Sequence, residues 1–281
     1  MTDDADEPLP PSLALAARSI VAAPATAEKV RLARLTAKAW FGGHLSLGQL
    51  STAQPMPDRP GRPEHPVLML PRNMPKRASG GSEKSRIALL HALAHIELNA
   101  VDMTWDLIGR FVHTGMPRPF FDNWVQVGLE EAKHFDLLDR RLIELGAAYG
   151  DLPAHDGLWQ AAAATGHDLL ARLAVVPLVL EARGLDVTPS MIEKLTAAGD
   201  AASAGIIAII YRDEKRHVAF GAKWFRFMCE REGRPLEATF HDLVRRNFRG
   251  PIRPPFYDKA RAEAGLTPGF YKPLSALGAP K

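Results

Sequence analysis

Apolar residues recur at helical spacing along most of this chain. The stretches LALAARSIVAA and AEKVRLARLTAKAWF predict helices over 13–41, broken at Pro24. Ser79-Gly-Gly-Ser82 predicts the cap of a long helix over 82–114, which ends near Gly115-Met-Pro117. A second long helix is predicted over 119–148. A third covers 156–183 and stops at Gly184, with a shorter piece from Thr188-Pro189 to Gly199. A fourth covers 200–231, and a last helix opens at Pro235 and runs to Arg249. No strand alternation bounded by hairpin signals interrupts this pattern. Four long helices with short satellites predict an all-α fold built on an antiparallel four-helix bundle.

The remaining stretches break the pattern. Seven prolines between Pro55 and Pro75 exclude a helix or a central strand over 42–81. The reading adopted is an extended arm laid across the bundle, with Val67, Leu68, Met69 and Leu70 as its docked apolar segment; a flexible linker is the competing reading. Residues 1–11 are an acidic, loose tail, and the six prolines beyond 249 predict an irregular one. The chain therefore divides into an N-terminal helix and arm (1–81), a helical bundle (82–249) and a C-terminal tail (250–281).

Composition narrows the function classes. Of 281 residues 46% are hydrophobic and 24% charged, which excludes disorder of the whole chain. Cys229 is the single cysteine, so a disulfide scaffold and any thiolate metal site are excluded. The most apolar stretch, 169–182, is interrupted by Arg172, Pro177 and Glu181 and is shorter than the roughly 20 residues of a membrane span. The opening MTDDADE is acidic where a secretory signal is basic. These features predict a cytoplasmic protein without a membrane partner. Eight basic residues against three acidic ones over 241–281 raise the question of a nucleic-acid partner, but a solvated basic tail is the favoured reading. There is no glycine-rich nucleotide loop and no nucleophile elbow.

The chemistry lies on the long helices. The first carries Glu97, the second Glu131 and His134, the third Glu181, the fourth Glu214 and His217. Each half thus repeats a lone Glu followed, 34 or 33 residues on, by Glu-x-x-His. By count alone two such pairs are weak evidence, since composition yields about 0.5 by chance. Position strengthens them. Residues three apart share a helix face, and all six fall where the apolar stripes demand core residues, as in Ile207, Ile210, Glu214, His217. Four converging carboxylates repel one another and resist burial. Buried salt bridges or protonated acids would relieve this. Two divalent cations relieve it better, because they cancel four negative charges and accept the imidazoles. Hard oxygen and imidazole donors suit iron or manganese.

The ligand order resembles the ferritin-like di-iron carboxylate superfamily. More narrowly, HALAHIELNAVD (91–102), EEAKHF (130–135), LEARGLDVTP (180–189) and YRDEKRHVAFG (211–221) resemble a ferritin-like family known as a domain of unknown function, as does the proline arm (PDRPGRPEHP, then PRNMPKR). The resemblance spans about residues 25–250. It implies a ferritin-like bundle with an extra N-terminal helix, a wrapping arm and short C-terminal helices. It implies Glu97, Glu131, His134, Glu181, Glu214 and His217 as ligands of two Fe ions (alternatively Mn or mixed Mn/Fe), with Glu131 and Glu214 bridging. Related proteins further imply that Asp213 serves His134 and Glu130 serves His217, the partners a metal-bound imidazole needs. His95, with His91 one turn before it, and Tyr211 are further candidates around the ligands, and structural roles remain open for all three.

The activity this implies is O2-dependent hydroxylation or oxidation of a small-molecule substrate, with electrons from an external donor or from the substrate. Iron binding of the ferroxidase type, an RNA-directed hydroxylase and a non-catalytic helical module are the alternatives, and a homodimer is compatible with each. Pro177 predicts a bend in the third helix. The substrate pocket is expected on the side of Glu97 and Glu181, bordered by Val101, Thr104, Val176 and Leu180.

Overall fold

The computed structural model describes residues 9–75 and 82–276. Helices α1 (Leu13–Ala22) and α2 (Thr26–Phe41) stop on either side of Pro24, and Ser12 caps α1 by accepting from the Leu15 amide. Ser82 caps α3 (Glu83–Arg110) in the same way. Of the predicted capping run, 79–81 lie outside the described residues, as do 1–8 of the acidic tail and 277–281 of the basic one. Pro117 and Pro119 open α4 (Arg118–Glu144), where a missing N–H costs nothing.

The next stretch departs from the predicted pattern. α5 (Gly157–Ala164) ends ahead of Thr165-Gly166, and Asp168 caps a new helix by accepting from the Leu170 amide at 2.8 Å. That helix does not stop at Gly184. It runs as α6 (Leu169–Val175), widens into a π-helical segment (Val176–Glu181) and continues as α7 (Ala182–Ala197) through both Gly184 and Pro189. Burial of Leu185, Asp186 and Thr188 overrides the local break signals. Asp200 caps α8 (Ala201–Arg231). α9 spans Leu236–Asn247, and the tail expected to be irregular carries α10 (Asp258–Glu263) and α11 (Pro268–Ala276).

The described residues are all-helical, with two isolated β-bridges and no strand. α3 packs along α4, α7 along α8, and α4 against α8, so the elements bearing the acid–histidine repeat share one core. α1 and α2 pack against α3 and α4 and add Leu13, Ile20, Val30 and Trp40 to the same core. No helix among the described residues is long and apolar enough to cross a membrane.

The proline-rich arm is docked, and the predicted segment takes part through its backbone rather than through its side chains. Met56 is buried, Arg59 pairs with Asp156 at 2.6 Å, and the Gly61 amide donates to Val21 O at 2.9 Å. A Cβ at Gly61 would stand 2.1 Å from Ala22 O, so the close approach requires glycine. Val67 and Leu70, by contrast, are more than half exposed; their segment is held by backbone bonds to Ala154. Beneath the arm a buried ion cluster ties three regions together. Lys29 of α2 donates to Asp102 of α3 at 2.7 Å and to the carbonyls of Ile20 and Val21 at the end of α1, while Arg62 of the arm reaches Asp102 at 2.8 Å.

Candidate metal centre

α3 supplies Glu97, α4 supplies Glu131 and His134 one turn apart, the π-helical segment ends on Glu181, and α8 supplies Glu214 and His217. The structure brings all six together. One donor atom each from Glu97, Glu131, His134 and Glu214 lies within 4.8 Å of the others. Nδ1 of His134 lies 3.3 Å from a carboxylate oxygen of Glu97 and 3.3 Å from one of Glu131. Nδ1 of His217 lies 3.0 Å from Glu131 and 3.3 Å from Glu214. Glu131 thus stands between the two rings. Glu181 closes the group, with both its oxygens buried and without a hydrogen-bond partner among the described residues, in the field of Glu214, Glu131 and Glu97.

The helix widens where Pro177 removes an amide donor, and the turn is received by Gly221 of α8. A Cβ at Gly221 would stand 2.5 Å from the Pro177 ring. This contact seats the Glu181 turn on the helix that carries Glu214.

The far nitrogens of the two rings are held crosswise. His134 Nε2 lies 3.2 Å from Asp213, and His217 Nε2 lies 2.8 Å from Glu130. With those nitrogens donating, each Nδ1 points to the cluster, where losing its proton would leave a lone pair for a cation. The two outer acids have counter-charges of their own: Lys133 pairs with Asp213, and Arg216 with Glu130, which also accepts from Gln126 at 2.7 Å. Position alone does not mark Lys133 and Arg216 as part of the site, since both lie on the outward-facing side of their helices.

Electrostatics separates the acids. Burial, with the neighbouring carboxylates, pushes Glu97 up to about 8 and raises Glu181 and Glu214. Burial also opposes ionisation of Glu131, but His217 and His134 on either side hold it below its ordinary value. Both histidines are raised despite burial, because carboxylates surround them. Hydrogen bonds from His217 and Gln126 keep Glu130 low, and those from His134 and Lys133 keep Asp213 low, against the cost of burial. Without further positive charge, the cluster must hold protons.

The donor set fits a metal. Glu97 Oε2, Glu131 Oε1, both Glu181 oxygens and His217 Nδ1 are buried and lack a hydrogen-bond partner among the described residues. These are the atoms that cations placed among them would engage, and four carboxylates offset the charge of two divalent ions.

Two candidates lie elsewhere. His95 is turned away from the cluster, with Nδ1 2.8 Å from the Tyr149 hydroxyl and Nε2 3.2 Å from His155 O. His91 accepts the amides of Gly150 and Leu152 on the same flank. Tyr211 does not face the acids either. Its neighbours are Tyr257, Glu263 and Asp186, Lys215 lies over its ring, and its hydroxyl has no hydrogen-bond partner among the described residues.

Glu97, Glu181 and Glu214 form part of the wall of a cavity of about 490 Å³ whose remaining surface is mostly apolar. It opens between α3, the α6–α7 helix and α8, on the side expected. Of the four border residues expected, Leu180 lines it, while Val101, Thr104 and Val176 are packed into the core away from it. The opposite wall comes from α9 and the segment after it, through Phe240, Phe248, Ile252 and Phe256. The apolar residues spaced through that proline-rich stretch are the sequence signal for this wall.

Residues 22–272 match the model of a family described as "Protein of unknown function (DUF455)". Over 214 residues, 73% of each chain, the sequence is 41% identical to an uncharacterized protein of Haemophilus influenzae. No solved structure gives a significant match.

Proposed function

We propose that this chain, which belongs to the DUF455 family, is a ferritin-like di-iron (or di-manganese, or mixed) carboxylate oxidoreductase acting on a small organic substrate. The observation that carries this reading is the convergence of buried carboxylate oxygens, flanked by the Nδ1 atoms of two imidazoles, in the wall of a mostly apolar cavity. On this reading α3, α4, the α6–α7 helix and α8 are the four helices of a ferritin-like bundle, each half giving one Glu and one Glu-x-x-His.

Glu97, Glu131, His134, Glu181, Glu214 and His217 would hold two metal ions, which when bound supply dioxygen reduction and substrate oxidation. The chain's own residues do the rest. Asp213 and Glu130 fix the two rings with Nδ1 toward the acids. Glu131, which lies between the two rings, and Glu214 are the acids that both ions would share. The raised acids, Glu97, Glu181 and Glu214, give up their protons as metal enters. The apolar wall positions substrate and keeps bulk water from the reacting face.

Anaerobic loading with Fe(II), followed by a measured pulse of O2, tests the reading. The expected result is oxygen uptake with iron held at two per chain. Continued uptake with iron accumulating far beyond two per chain would instead mark an iron-storing ferroxidase, and no uptake by the loaded protein would contradict both.

A further inference from the structure

The cavity beside the acids is lined by groups of opposite charge. Its inner wall carries Glu97, Glu181 and Glu214. Its wall also includes Arg183, Arg253 and Arg261, which lie on α7 and on the chain that follows α9. Arg261 is committed, forking Asp186 at 2.8 and 2.6 Å. Arg183 is committed only through Nη1, and Arg253 not at all. Arg183 uses Nη1 to hold the carbonyls of Arg253 and Pro255, each at 2.9 Å, with Asp186 at 3.4 Å, and its Nε and Nη2 have no partner among the described residues. The Arg253 side chain is exposed and likewise has neither a hydrogen bond nor an ion pair among the described residues. Asp186 is thus shared by Arg261 and, at longer range, Arg183, and one carboxylate facing three guanidiniums leaves this region of the wall with an excess of positive charge. The rest of the wall is mostly aliphatic and aromatic, with Ile96, Met103, Ile207 and Phe248 as examples.

We propose that the cavity binds an amphipathic organic monoanion, an alkyl or aryl chain with one carboxylate, its head on Arg183 and Arg253 and its apolar body directed toward the acids. A guanidinium presents paired donors that match a carboxylate, and one anionic head answers the unbalanced charge. The apolar wall rewards a body without polar groups; a volume of about 490 Å³ is that of a site for a small ligand rather than a polymer. The ligand site follows from the cavity itself. That the ligand is the substrate rests on the metal-centre reading above, and the orientation then presents a C–H bond, rather than the carboxylate, to the metal side.

Calorimetric titration with octanoate and with 1-octanol, on metal-free and metal-loaded protein, tests this. Octanoate should bind at least tenfold more tightly than 1-octanol. Arg253→Gln should weaken octanoate about tenfold and leave 1-octanol within twofold. Gly184 supplies a second arm: it lines the cavity and a Cβ there meets nothing within 4 Å, so Gly184→Leu should fold, retain its metal and weaken both ligands. Equal affinity for acid and alcohol would overturn the proposal. So would octanoate binding that is insensitive to Arg253→Gln and present only with metal loaded, since the head would then sit on the metal. Metal counted in the same samples separates the two readings. Normal loading without octanoate binding removes this proposal alone, whereas octanoate binding with the predicted variant pattern and no metal uptake removes the metal-centre reading and leaves the ligand site.

Discussion

Asp213 shows how much one residue outside the six can govern. It accepts from His134 Nε2 and pairs with Lys133, so it fixes both the orientation of the ring and the nitrogen that carries the proton. Asp213→Asn should weaken metal binding about 10- to 100-fold with helix content unchanged, as read by competition with a chelator of known affinity; unchanged affinity would remove Asp213 from the site. His91 makes a different prediction. Its Nε2 accepts two backbone amides and burial holds its pKa below the ordinary histidine value. The unfolded chain therefore takes up this proton first as pH falls, so the stability His91 contributes is intact above about pH 6.5 and is lost below it. His91→Gln keeps an acceptor that does not titrate, and urea unfolding at pH 7 and pH 5 should show a smaller pH dependence for it than for the wild type. At this scale the six clustered residues were legible because a carboxylate on an apolar stripe is expensive and demands a reason. The direction of His95 was not. α3 is buried on nearly every face, so periodicity cannot say which neighbour a side chain meets.

At the scale of elements, the α6–α7 helix is the informative one. Glycine and proline signals at 184 and 189 argue for a stop, yet the helix continues, because its buried face outweighs its local preferences. The true break, at Thr165-Gly166, lay inside an alanine-rich stretch whose apolar pattern hides it. The bend foreseen at Pro177 is a π-helical segment, and its seat on Gly221 could not be read from either helix alone. Gly221→Ala should cost about 2 kcal/mol by overpacking against a rigid ring, and should weaken metal binding by displacing the Glu181 turn. Gly184→Ala, in open space on the same helix, should instead gain ~0.5–1 kcal/mol. Chemical denaturation of the pair checks both signs.

For the whole molecule, the helical core was legible from period alone, whereas what surrounds it was not. The arm docks through Met56, Gly61 and Arg62 rather than through the side chains of its most apolar run, and the tail past 249 folds into two helices and a cavity wall. Both depend on contacts between distant segments that no local pattern announces. The Lys29–Asp102–Arg62 cluster is what ties α1, α2 and the arm to α3. Lys29→Met would leave Asp102 buried with one partner fewer and should cost about 3 kcal/mol, visible as a lower urea midpoint at neutral pH. Metal removal should destabilise the chain at neutral pH as well, since converging acids would lose their counter-charge.

The claim on which the rest depends is that the six converging residues form a dinuclear metal site. The most direct measurement is metal content per chain after anaerobic loading with Fe(II) and removal of loosely bound ions, for the wild type and for Glu131→Ala with matched helix content by circular dichroism. Two ions per wild-type chain are expected, with loss of the pair when the acid between the two imidazoles is removed. Fewer than about one ion per wild-type chain, or two ions retained at unchanged affinity by Glu131→Ala, would contradict the claim.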